Sequence, residues 1–129
     1  MIDLPLKIQV KGKSYPLNLN WYRNAHYFIL NAVKQAFQDE VGATLTLEPI
    51  TRCRLIYTLY PATKHKQDVS NICSIVDKFF CDTLVNLNIL PDDNYEHVSE
   101  VVYRYGNVDQ ANPRVTASIE VYSANYSKE

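Results

Sequence analysis

Apolar and polar residues alternate along 4–10, Leu-Pro-Leu-Lys-Ile-Gln-Val, which predicts a strand closed by a turn at Lys11-Gly12-Lys13. Residues 15–20 are expected to stay extended. Asn24 is a candidate helix cap, and after it Phe28, Ala32, Val33, Ala36 and Phe37 recur at helical spacing until Gly42 stops them. Strands are expected at 44–47 and 52–60. In the second, Cys53, Leu55, Tyr57 and Leu59 alternate with Arg52, Arg54, Ile56 and Thr58. The strongest pattern is a second helix over about 68–88, with Val69, Ile72, Val76, Phe79, Phe80 and Leu84, joined by Leu87, on one broad face. A loop at 90–94 and closing strands at 97–105 and 114–122 complete the order βαββαββ. This is an α+β domain over 1–122, a mixed sheet with two main helices packed on it, followed by a flexible tail at 123–129.

Composition narrows the function. At 129 residues the chain is one domain's worth, and 47% hydrophobic with 21% charged residues is the balance of a globular protein. No apolar run approaches a membrane span and residues 1–25 carry no signal-peptide pattern, so a cytoplasmic protein with no membrane partner is expected. Cys53, Cys73 and Cys81 are odd in number and form no CxxC, which predicts reduced, buried thiols. A net charge of -1 excludes a uniformly basic nucleic-acid coat, so a polyanion must meet a local basic patch or a bound cation. His26, His65 and His97 lack paired metal spacing, and with 3 Gly there is no phosphate-cradling loop. Tyr103, Tyr105, Tyr122 and Tyr126 fall on or after the closing strands, where sheet and dimer packing is their expected role.

On the second helix Asp68, Asn71, Lys78 and Asp82 share a narrow polar arc interrupted by Ile75. The loop that follows adds Asp92 and Asp93. Carboxylates converging from two elements suit a hard divalent cation such as Mg²⁺, which takes oxygen ligands, and Lys78 would supply a fixed positive charge near a phosphoryl group. Lys64 and Lys66 stand just before Asp68, while Arg52 and Arg54 lie on the preceding strand. Together they are a candidate grip on a phosphate backbone, joined more weakly by Lys11, Lys13 and Arg23. The bland alternative is a solvated helix face with a salt bridge.

These residues resemble the RusA family of phage and prophage Holliday-junction resolvases. The family carries Asp-x-Asp-Asn, a Lys and then an Asp along the helix, and an Asp-Asp pair after it. The corresponding stretch here is Asp68-Val69-Ser70-Asn71, Lys78, Asp82 and Asp92-Asp93, within residues 64–98. Ser70 stands where the family has its second aspartate, and four extra residues precede Lys78, close to one helical turn. The resemblance implies a homodimer, encoded by a phage or prophage, that cuts four-way DNA junctions in recombination or repair using Mg²⁺, with Mn²⁺ as the alternative ion. It implies Asp68, Asp93 and Lys78 as catalytic residues, with Asp68, Asp92 and Asp93 as metal ligands. Asn71, Asp82 and Ser70 would support them, and Arg52, Arg54, Lys64 and Lys66 would hold the arms. A neighbouring acid is expected to stand in for the missing aspartate. The rival reading is a non-catalytic DNA-binding or protein-interaction descendant of that fold.

Overall fold

The computed structural model describes residues 1–122; the expected tail at 123–129 lies outside the described residues. Pro5, which has no amide hydrogen, interrupts the first expected strand, and the Leu6 carbonyl turns to accept the Leu17 amide at 2.9 Å. The stretch therefore splits into β1 (Ile2–Leu4) and β2 (Lys7–Val10), which belong to different sheets. β2 forms a hairpin with β3 (Lys13–Pro16). The expected turn joins them: Lys11 and Gly12 both take positive φ, 52° and 79°, the pairing a two-residue hairpin loop requires.

The extended stretch ends at Pro16, sooner than expected. Asn18 accepts the Trp21 amide at 2.8 Å and starts a short helix, α1 (Leu19–Asn24), that the apolar pattern does not reveal. Asn24 is the last residue of α1 and donates to the Asn20 carbonyl. The cap of α2 (Tyr27–Gly42) is instead His26, whose Nδ1 accepts the Phe28 amide. The strand expected at 44–47 does not form. Both edges of β4 (Cys53–Tyr60) are already occupied, by β5 (Val98–Tyr105) and β6 (Arg114–Val121). The element order is thus βββααβαββ, with three helices.

The main sheet runs β1-β6-β4-β5, with β4 and β5 parallel and the other pairs antiparallel. The parallel pair is linked by α3 (Val69–Asn86), which crosses over the sheet and runs against the direction of β4. Strand alternation holds as expected: Cys53, Leu55, Tyr57 and Leu59 are buried beneath the helices. Phe80 meets Tyr57 edge-on at 6.3 Å, and Phe79 on the adjoining side of α3 meets Phe37 of α2 at 5.7 Å. α3 is therefore buried on two sides. Its expected apolar face holds through Leu84, whereas Leu87 lies beyond the helix and is 39% exposed. The opposite face of the sheet is mostly polar, with Ile56 and Thr116 buried among the polar side chains and Arg54 held between Glu100 at 3.3 Å and Glu120 at 3.4 Å.

Candidate functional site

The polar arc of α3 lies at the surface beside α1 and α2, with Asp68 and Lys78 exposed and Asn71 and Asp82 partly covered by their neighbours. Asn71 accepts the Leu19 amide at 3.2 Å, which fastens the start of α1 to α3. Ile75, between the polar positions, is fully buried. Lys78 lies over the Tyr22 ring, 6.0 Å from its centroid, and Asp82 pairs with Lys34 of α2 at 3.7 Å. The spacing that aligned these residues therefore traces the seam of α3 with α1 and α2.

The two ends of α3 differ in chemistry. At its start Asp68 occupies the cap position without making a side-chain capping bond. It opens onto a surface cleft of about 440 Å³ with Leu19, Asn20, Arg23, Ser70 and Asn71. The expected phosphate grip is partly here. Lys64 and Lys66 lie in the adjoining loop, where with His65 they border a second hollow of about 260 Å³ beside Tyr105 and Val69. Arg23 comes from α1, so one cationic residue reaches this end from a different element.

At the far end the chain leaves α3 and turns through 91–97. Asp92 organises that turn: its Oδ1 accepts the Asp93 amide at 2.7 Å and its Oδ2 accepts from the Asn94 side chain at 3.1 Å. Asn94 Oδ1 accepts the Glu96 amide at 2.9 Å. The Asp93 carboxyl is pushed above its ordinary range by partial desolvation and then by its neighbour Asp92, with the charge of Asp82 adding to the effect. Asp92 is thus the close acidic neighbour of Asp93, with Asp82, itself paired to Lys34, a more distant one.

The single-ion site expected from Asp68, Asp92 and Asp93 does not form within one chain. Asp93 sits at the Asp82 end, and Asp68 precedes Asp82 by 14 residues of helix, about 20 Å at the usual rise. Among the described residues no three His, Cys, Asp or Glu side chains gather as a metal-holding group. The physical reason is that α3 is straight and lies along the sheet, so the loop after it re-enters at the opposite end from Asp68. Within a protomer these residues do not fit a shared divalent ion.

The other basic positions also separate. Arg54 is on the opposite face of the sheet, away from α3, and neutralised by Glu100 and Glu120. Arg52 stacks over the Tyr122 ring at 5.4 Å. Lys11 is in the β2–β3 turn, and Lys13 lies over the Tyr15 ring at 5.6 Å. Neither arginine shares the surface of Asp68 with Lys64 and Lys66.

One polar centre escaped the sequence reading. Asp77, in mid-helix, points at the sheet and accepts Tyr57 Oη at 2.7 Å, Tyr103 Oη at 3.0 Å and Cys81 Sγ at 3.3 Å. Burial and the nearby carboxylate push both phenols above their ordinary range, so they remain donors. A visible signal was present: Cys73, Asp77, Phe80, Cys81 and Leu84 form one sheet-facing stripe, with an acid in its middle. The thiols behave as expected, all three free and buried, with Cys53 pushed up to about 11 and Cys73 to about 12, chiefly by burial. Comparison with family models and with curated proteins gives no match.

Proposed function

We propose that the protein is a divalent-metal-dependent, structure-selective endodeoxyribonuclease that resolves four-way DNA junctions as a homodimer. The observation that carries the reading is the mouth of α3, where the uncapped carboxylate of Asp68 opens to solvent in a cleft with Arg23, next to the separate hollow that Lys64 and Lys66 border. Cations there would hold the phosphate backbone, and their contribution should weaken steeply with salt. The second support is the adjacent pair Asp92 and Asp93, carboxylates of a kind that a hard cation takes as oxygen ligands.

Because about 20 Å of helix separates Asp68 from the Asp82 end, where Asp93 lies, this reading requires the ion's ligands to come from two protomers. A twofold axis would bring Asp68 of one chain to Asp93 of the other and repeat the site for the opposing strand. Lys78 and Asp82 are already committed to the α3 seam, which assigns them to holding that geometry. Arg52 and Arg54, engaged with Tyr122 and with Glu100 and Glu120, take no part in the grip.

The test is cleavage of a labelled synthetic four-way junction with and without Mg²⁺ or Mn²⁺, beside a linear duplex. Paired, metal-dependent nicks in the junction alone are expected. Tight junction binding without nicks would select the non-catalytic descendant, which Ser70 in place of a carboxylate favours. Neither binding nor cutting would discard both.

A further inference from the structure

β5 is the outer strand of the main sheet, paired to β4 alone among the described residues. Beyond its end the Gly106 amide donates to the Leu59 carbonyl at 2.7 Å. By strand alternation residues 100, 102 and 104 also direct their backbone groups to β4, while residues 101, 103 and 105 direct theirs outward. An eight-residue strand with open backbone groups accepts another strand.

The side chains specify which strand. If a second copy of β5 lies antiparallel about an axis at Val102, Glu100 falls opposite Arg104, twice. On the other face Val101 falls opposite Tyr103, twice. Val101 is 40% exposed and would be covered. Moving the axis one residue in either direction sets Glu100 against Val102 or Gly106 and removes both charge pairs. Glu100 is shared with Arg54 in its own chain, whereas Arg104 is exposed and has no ion pair among the described residues. Self-complementarity of this kind is what a twofold interface needs.

We propose that β5 is the dimer edge: two copies of this chain join antiparallel through Val98–Tyr105 about an axis at Val102, giving one continuous eight-stranded sheet. This deepens the nuclease reading by naming its partner surface. β5 runs from the Asp93 loop to the Asp68 end of α3, so antiparallel pairing sets the Asp68 end of one protomer beside the Asp93 loop of the other.

The test reads size, not cleavage. At the axis Val102 faces its own counterpart at a non-hydrogen-bonded position, where Cα atoms lie about 4.5 Å apart, inside the roughly 4.4–6.8 Å range of a disulfide. With the three native thiols buried, Val102→Cys should become a covalent dimer on mild oxidation. Arg104→Glu, which sets like charges together twice, should weaken the dimer about 10-fold or more in sedimentation while leaving the circular dichroism spectrum unchanged. The proposal requires both results. A wild-type chain that stays monomeric at about 100 µM overturns it. So does a dimer that Val102→Cys fails to trap or that Arg104→Glu leaves intact. A dimer that never cuts DNA refutes the nuclease reading and leaves this one standing.

Discussion

Asp77 and Asp93 are two carboxylates beside the same helix with opposite surroundings. Asp77 is met by two phenols and a thiol, all donors. Asp93 has acids, Asp92 and Asp82, for its charged neighbours, and its pKa is raised by partial desolvation first and by those acids second. An acid surrounded by donors ties α3 to β4 and β5 and belongs to the fold. An acid with acidic neighbours and no donor side chain of this kind gains little for the fold from being ionised. Position in the sequence does not separate the two; the company each keeps does.

The largest effect that would sharpen this contrast is on activity. Under the proposed function, Asp93→Asn should lower junction cleavage about 100-fold or more while junction binding is kept. An unchanged cutting rate would remove Asp93 from the site. Next comes stability at Asp77. Asp77→Ala leaves two phenols without their acceptor and should cost about 2–4 kcal/mol, lowering Tm by about 10 °C in a thermal melt. Asp77→Asn keeps an acceptor oxygen and should lose less than half of that. If the alanine variant melts with the wild type, the contrast fails.

A smaller effect is the pH dependence of Asp93. Its folded pKa lies above the ordinary 3.8, so its stabilising form is the protonated one. That contribution is complete below about 3.8 and is lost as pH rises through the folded value. Asp93→Asn should therefore match the wild type in acid and exceed it by about 1–2 °C at neutral pH without metal. A melt series from pH 3.5 to 7 measures the difference; equal melting at neutral pH would mean the ionised Asp93 costs the fold nothing. The smallest expected signal comes from the thiols. Burial holds Cys53 near 11 and Cys73 near 12, so a thiol reagent at pH 8 should label the folded chain only at the rate of unfolding.

The parts of the fold set by periodicity were legible: α2, α3, β4, β5 and β6, together with the inward alternation of Cys53 to Leu59. The departures share one cause, that backbone hydrogen bonds made elsewhere override local pattern. Pro5 breaks one alternating run into two strands of different sheets, and Asn18 begins a helix too short to show a period. Residues 44–47 have strand-like composition, but the edges of β4, the strand that follows them, are both taken by β5 and β6. The candidate site was legible in its residue types and not in its arrangement. Helical spacing correctly put Asn71, Lys78 and Asp82 in line, but could not show that the line lies beside α1 and α2. Proximity in sequence suggested that the loop after α3 returns to Asp68, whereas a straight helix carries it to the other end.

The pairing of β1 with β6 has a consequence for the order of folding. Leu4 is registered against Val115, and β4 can reach both of its sheet neighbours only after residues 98–121 are available. During synthesis the N-terminal half can form its hairpin and α2 by local contacts, but the main sheet must wait for nearly the whole chain. Such distant closures slow folding, since chain entropy is lost before the contacts that offset it are made. Until then the alternating apolar residues of β4 have no partner, which makes that strand the segment most exposed to association between nascent chains.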